Sequence, residues 1–399
     1  MGFRFRTLFS LLIATLLSTG LYARTSTHTT KNPKRDGVAE SPRAQTRMSH
    51  LRHSRKLRNV RLKRRHRYYE HFYTSSYATD LTEGDVVAGE DPVVRQAAID
   101  ALGDMNGTMV AIDPTSGRVL AMVNQKLALS EGAQPCSTIK LSVALAALSE
   151  KLITRDTEIT LGKHTQVTLT EALAKSNNAY FEALGRRLGF AKVKYYAHQF
   201  GLGEYAGFNI DGEHPGIYPN RVLDASHGGV GKMCSFGESI SVTPLQLGAL
   251  VSAIANGGTL YYLQHPLTTD EVLDFQPKIK RQLDIGPLIP EMTDGMMGAV
   301  EYGTARSVRQ NFIEEEILGK TGTCSKDGTR FGWFASYANT QYGRIVAVVF
   351  LRGGRPTYGP KAAEISGKFY RNLYDHKFFT QPATAASKTG EKTAVGAQQ

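Results

Sequence analysis

Apolar positions fall into periodic runs from about residue 90 onward. In DPVVRQAAIDALGDM, Val94, Ala97, Ala98 and Leu102 recur at helical spacing and predict an amphipathic helix. GTMVAIDPTSGRVLAMVN reads as two apolar strands joined at Pro114-Thr115-Ser116-Gly117, residues suited to a turn. STIKLSVALAALSEKL predicts a helix with Ser137 near its N-terminus. TLTEALAKSNNAYFEALGRRLG predicts two helices interrupted at Ser176-Asn177-Asn178, and TPLQLGALVSAIANGG an apolar helix stopped by paired glycines. The pattern then returns to strands in ILGKTGTC, RFGWFASYA and RIVAVVFLRG. Strands therefore flank a long helical middle. Such segregation predicts an α+β fold, with an antiparallel sheet built from N- and C-terminal strands, flanked by helices and carrying a helical subdomain. No internal repeat is visible.

Residues 25–84 have few aliphatic side chains and no sustained period, which predicts a disordered basic linker. Arg24 to Arg67 contains 15 Lys and Arg against only Asp36 and Glu40. With Arg4 and Arg6, this arm accounts for the whole formal net charge of +12 and leaves residues 68–399 slightly acidic. The basicity therefore does not mark a nucleic-acid-binding domain, and no nucleic-acid partner is expected. Ahead of the arm, Arg4 and Arg6 precede an uncharged stretch of 16 residues, Leu8 to Ala23. That is long for a signal-peptide core and short for a spanning helix. Residues 1–24 are thus a signal peptide or, preferentially, a retained membrane anchor. Either reading places the domain in the periplasm or another extracytoplasmic space, and a cleaved leader would leave it secreted. Residues 28–67 read first as a solvated tether and second as a segment that lies on anionic membrane or acidic wall polymers. The composition falls to Ala, Thr, Lys and Gly over residues 381–399, a frayed tail, so the folded domain is expected over residues 85–380.

Cys136, Cys234 and Cys324 form an odd set without CxxC or Cys/His spacing, so no metal site is expected. Export permits their oxidation, sequence alone leaves connectivity open, and the simplest reading is three small buried side chains.

Three short motifs carry candidate chemistry. Ser137 and Lys140 stand at i and i+3, neighbours on one helix face. A serine hydroxyl is a weak nucleophile unless a base takes its proton, and a lysine serves as that base only where its ammonium form is disfavoured. At a helix start, backbone N–H groups also point toward a developing oxyanion. The bland reading is a capping serine and an exposed lysine. Ser176-Asn177-Asn178 reads either as a loop between helices or as a proton relay (Ser176) beside a substrate-amide ligand (Asn178). Lys320-Thr321-Gly322-Thr323 reads either as an edge strand or as a site for a substrate carboxylate, with Gly322 marking a close backbone approach.

Each motif alone is ordinary, but their order on helix, loop and strand is not. S-x-x-K, S-x-N and K-T-G together are the signature of penicillin-binding proteins and serine β-lactamases. The likeness continues through AIDPTSGRVLAMVN, DGEHPGIYPN, GESISVTPLQLGALVSAIANGGTLYY, GMMGAVEYGTA and GWFASYA, across roughly residues 90–375. The chain resembles a penicillin-binding-protein transpeptidase domain. The resemblance implies a serine-type acyl transfer on the D-Ala-D-Ala end of peptidoglycan stem peptides, in cell-wall crosslinking, with β-lactam antibiotics as inhibitors. It implies Ser137 as nucleophile, Lys140 as base, Ser176 as proton relay and Lys320 as a positive charge. It assigns the substrate carboxylate to Thr321 and Thr323, the peptide amide to Asn178 and the oxyanion to the Ser137 and Thr323 amides, with Gly322 between. Neither metal nor organic cofactor is implied.

The basic arm stands where monofunctional class B members carry a large pedestal. No stretch resembles the glycosyltransferase module of bifunctional members, which implies a separate glycosyltransferase partner. Cys136 stands where the family usually has glycine, and Cys324 follows KTGT. Because the family fold packs the nucleophile's helix beside the KTG strand, the resemblance brings these cysteines within reach of pairing. The alternative is two small thiols filling tight spaces. Three rival activities share the motifs. A D,D-carboxypeptidase would pass the acyl group to water. A serine β-lactamase would need a deacylating carboxylate, for which Glu213 is available, although Gly212, Gly216 and Pro219 fit the penicillin-binding pattern. A non-catalytic β-lactam-sensing or wall-binding protein would keep the fold without turnover.

Overall fold

The computed structural model describes residues 71–162 and 165–380. The leader, the arm over residues 28–67 and the tail over residues 381–399 lie outside the described residues.

Helix α1 (Pro92–Leu102) starts at Asp91, whose carboxylate accepts from the Val93 and Val94 amides, and it buries Val94, Ala97, Ala98 and Leu102 as the spacing predicts. Strands β1 (Gly107–Asp113) and β2 (Arg118–Val123) form the expected hairpin, with the Asp113 carboxylate bonding Thr115 and Ser116 in its turn. After a short helix α2 (Gln125–Ala128), a 3₁₀ turn over Cys136–Ile139 runs straight into α3 (Lys140–Ser149). A small hairpin, β3 (Ile159–Leu161) with β4 (Thr165–Val167), precedes α4 (Leu169–Ala174) and α5 (Asn178–Gln199). Helices α6 (Gly229–Phe236) and α7 (Pro244–Asn256) follow. Strand β5 (Thr259–Tyr261) then pairs with β6 (Ile279–Gln282) across a short α8 (Thr269–Leu273). Helix α9 (Ile289–Glu301) leads to β7 (Glu316–Lys326), β8 (Thr329–Thr340), β9 (Gly343–Gly353) and a closing helix α10 (Gly359–Asp375).

The five-stranded sheet runs in the order β2-β1-β9-β8-β7, every neighbour antiparallel. The first and last strands share it, as the strand–helix–strand segregation requires. Because side chains alternate across a strand, the sheet feeds two cores. Val110, Ile112, Trp333, Val348 and Phe350 pack with the helical middle, including α3, α5 and α7. Met109, Ala111, Phe334, Ala347 and Val349 pack with α1 and α10. Helix α7 is buried on all sides from Pro244 to Ala255. Thr243 and Gln246 close its start in a reciprocal capping box, and Gly257, at φ 95°, ends it. Strand β7 lies at the edge of the sheet, where it meets α9 and the turn over Cys136–Ile139. Among the described residues, no helix is long and apolar enough to cross a membrane.

Two stretches differ from the sequence reading. Residues 71–84, assigned there to the linker, are described, and residues 73–78 are bonded to turns and loops of the folded domain. The Tyr73 amide donates to Gly328 O at 2.9 Å, the Ala78 amide donates to Asp104 O at 3.0 Å, and the buried Ser76 hydroxyl donates to the Arg355 carbonyl. These are single backbone and hydroxyl bonds, which leave no apolar period in the sequence. Helix α10 was not anticipated either. Its buried Ala362, Ile365, Ser366, Phe369, Tyr370 and Leu373 do repeat at helical spacing, but the charged residues between them mask it.

Candidate active site

The nucleophile's turn begins with an unusual backbone. Cys136 has φ +51°, the left-handed region that costs a residue with a Cβ about 1 kcal/mol or more and costs glycine nothing. Glycine, which the resemblance leads one to expect at this position, would take this backbone without strain. In this chain a disulfide joins Cys136 to Cys324 on β7, with Cα atoms 5.5 Å apart, so the pairing implied by the resemblance is present. Cys234 is free and buried, and burial pushes its thiol up to about 12. The Pro135 carbonyl accepts from the Thr138 amide (3.1 Å) and hydroxyl (2.7 Å), which winds Cys136–Ile139 into its turn.

That turn sets Ser137 Oγ 3.1 Å from Lys140 Nζ. The amine also reaches Ser176 O at 2.8 Å, Ser176 Oγ at 3.1 Å and Asn178 Oδ1 at 2.6 Å. Lys140 is 0% exposed, and the Phe181 ring lies 5.4 Å from the amine. Burial first, and then the Lys320 charge, bring its pKa down to about 6, against a smaller opposing pull from Glu182. At neutral pH the amine is therefore mostly uncharged, with two hydrogens and one lone pair. Ser176 O and Asn178 Oδ1 can only accept, so they take the two hydrogens. The lone pair is left for the hydroxyls of Ser137 and Ser176, each 3.1 Å away.

The S-x-N element divides its labour. Ser176 sits at φ +56° between α4 and α5, which turns its carbonyl and hydroxyl toward Lys140. Asn177 is the N-cap of α5, accepting from the Tyr180 amide at 3.1 Å, so the middle residue starts the helix that carries Asn178.

Lys320 is 0% exposed, donates to Thr321 O at 3.1 Å and is lowered by burial to about 7. Gly322 lets β7 close on the nucleophile's turn. A Cβ there would stand 2.8 Å from Pro135 O and 3.2 Å from Thr138 Cγ2, which is the close backbone approach expected of it. Trp333, opposite Gly322 on β8, donates to Gln134 O at 3.0 Å and stacks on Phe350, fixing the chain just before the turn. Thr321 and Thr323 alternate to the other side of the strand. Thr323 Oγ1 accepts from the Gly359 amide at 2.7 Å, and Thr321 Oγ1 lies 2.6 Å from Thr304 Oγ1.

The Lys140 amine thus contacts Ser137, Ser176 and Asn178 directly, and Lys320, Thr321, Gly322 and Thr323 lie on β7, which closes on the nucleophile's turn. Thr304, Gly359, Gln134 and Trp333 were not singled out from sequence as site residues. Thr304 lay within GMMGAVEYGTA, and nothing local marked it apart from its neighbours. Glu213 stands elsewhere. It accepts from the Ala206 and Gly207 amides and lines a cavity with Tyr205, Phe208 and Lys280 that contains none of the motif residues.

The family described as penicillin binding protein transpeptidase domain matches residues 107–375. Stage V sporulation protein D of Bacillus subtilis (strain 168) is 31% identical over 261 residues, covering 54% of this chain and 39% of that protein. Peptidoglycan D,D-transpeptidase PbpA of Mycolicibacterium smegmatis is 26% identical over 348 residues, covering 69% of this chain and 68% of that protein. The crystal structure of Pseudomonas aeruginosa PBP2 in complex with WCK 5153 shares the fold, with a TM-score of 0.62 at 22% identity over 75% of this chain and 78% of that one. The chain spans less than half the length of the sporulation protein and about two thirds of PbpA. The family match begins at the first residue of β1 and ends at the last of α10, so the chain belongs to the penicillin-binding protein transpeptidase domain family.

Proposed function

We propose that this chain is a serine D,D-transpeptidase that crosslinks peptidoglycan stem peptides through an acyl-enzyme on Ser137. One observation carries the reading: a fully buried Lys140 amine that lies 3.1 Å from the hydroxyls of both Ser137 and Ser176. Ser137 Oγ attacks the penultimate D-Ala carbonyl as Lys140 Nζ takes its proton. The amides of Ser137 and Thr323 receive the oxyanion. The proton then passes through Ser176 Oγ to the nitrogen of the departing D-Ala, and the C–N bond breaks. Asn178 keeps Oδ1 on Lys140 and offers its NH₂ to the peptide carbonyl. Lys320 supplies positive charge, and the hydroxyls of Thr321 and Thr323 hold the terminal carboxylate. An amine acceptor attacks the acyl-enzyme to give a crosslink, whereas water gives a carboxypeptidase product.

The same chemistry takes β-lactams as ligands. Glu213, engaged in its own loop, supplies no deacylating base beside Ser137, which weighs against a β-lactamase. The substrate places the domain outside the cytoplasmic membrane, retained there by residues 1–24. Residues 28–67 meet anionic lipid or wall polymers, and a glycosyltransferase partner supplies glycan strands.

The test uses the full chain with a synthetic stem peptide ending in D-Ala-D-Ala, with and without an amine acceptor. The reading predicts release of D-Ala, a crosslinked product only when the acceptor is present, and neither in Ser137→Ala. No D-Ala release, or release that survives Ser137→Ala, would overturn it.

A further inference from the structure

We propose that Thr304, outside the three motifs, is a positioning residue for the substrate carboxylate, acting through the hydroxyl of Thr321. This rests on the reading of the site as one for a ligand that ends in a carboxylate.

The segment after α9 is tied to both halves of the cleft. A Cβ on Gly303 would stand 2.1 Å from Ala174 O and 2.8 Å from the Ala299 Cα, so only glycine lets the chain pass so close to the end of α4. That passage brings the Thr304 amide to Ala174 O at 3.1 Å. A carbonyl left without a partner at the end of a helix is thereby satisfied. Ala174 lies two residues before Ser176. From this anchor the Thr304 side chain reaches the strand on the other side of the cleft, with Oγ1 2.6 Å from Thr321 Oγ1. Thr321 is only 4% exposed, so its hydroxyl has little water to bond.

A hydroxyl has one hydrogen to donate and two lone pairs. When Thr304 donates to Thr321, the Thr321 hydrogen is left unspent and turns toward an incoming carboxylate. Thr323 is prepared in the same sense, because its oxygen already accepts from the Gly359 amide and its hydrogen remains to donate. Without the Thr304 hydroxyl, the Thr321 hydroxyl is free to rotate and to donate to a backbone carbonyl instead. Thr304 touches no reacting atom. Its effect is confined to ligands that carry the carboxylate.

The experiment compares wild type, Thr304→Ala and Thr304→Ser in the full chain, with a penicillin and with the methyl ester of the same penicillin. The readout is the second-order rate constant of adduct formation on Ser137. Loss of one oriented hydrogen bond to a charged group predicts a fall of about tenfold for the acid in Thr304→Ala. Thr304→Ser should stay near wild type, and the slow reaction of the ester should not change among the three. A fall shared equally by acid and ester, a Thr304→Ser as slow as Thr304→Ala, or no fall at all would overturn the proposal. Wild type that forms no adduct with the acid would overturn the reading of the site itself, and this assignment with it.

Discussion

A lysine in water stays protonated to about pH 10 and then has no lone pair to offer a serine. Lys140 escapes this by being enclosed, with Lys320 as a second positive group nearby, and its pKa falls to about 6. The sign of the pH dependence follows. The base is spent below about 6 and available above it, so acylation should rise with pH through that region and then level. Lys320, lowered to about 7, loses its charge as pH rises further, so acylation by carboxylate-bearing ligands should decline on the alkaline side. The two lysines interact, and the apparent values of the resulting bell belong to the pair. Stopped-flow acylation between pH 5 and 9 checks this; a flat profile would remove Lys140 as base. Lys140→Arg keeps the charge but installs a group that stays protonated. It should slow acylation by about 100-fold or more, whereas Lys320→Arg should cost less. Rate constants for the two variants side by side make the comparison.

At the scale of elements, the site depends on how closely the nucleophile's turn and β7 approach. Gly322 permits that approach, and the Cys136–Cys324 disulfide fastens it. Gly322→Ala should force the strand off Pro135 O, destabilise the domain by about 1–3 kcal/mol and slow acylation, as thermal unfolding and rate measurements would show. Reduction of the disulfide should lower the acylation rate without abolishing it, since Lys140, itself held by Ser176 and Asn178, contacts Ser137 independently of the bond. An unchanged rate after verified reduction would mean that the bond only fills space. Much of this scale was legible in advance. The α1 face, the hairpin, the break at Ser176 and the apolar α7 followed from period and turn residues, because each buries a continuous face or needs a special backbone. The motif residues were legible because their chemistry demands fixed spacing. Thr304 and Gln134 were not, since they act through one backbone or hydroxyl bond made across the fold. The α10 helix was obscured by the charges on its outer face. Asn177 looked like an ordinary loop residue, and only the start of α5 reveals it as a cap.

At the scale of the molecule, one sheet is closed by strands from both ends of the domain, and the helical middle supplies Ser137, Lys140 and Asn178 against its edge strand. Deletion of residues 28–67 should therefore leave acylation by a soluble β-lactam nearly unchanged, while weakening binding to anionic vesicles in a salt-sensitive way. A deletion variant that lost its thermal transition would instead make the arm part of the fold. The assembly as a whole is directed at one oxygen atom. Intact-protein mass spectrometry of the full chain after exposure to a penicillin, with peptide mapping, tests that most directly. The account predicts a single persistent penicilloyl adduct on Ser137 that is absent from Ser137→Ala. Labelling that survives that substitution, or an adduct that returns quickly to the unmodified mass as hydrolysed drug accumulates, would contradict it.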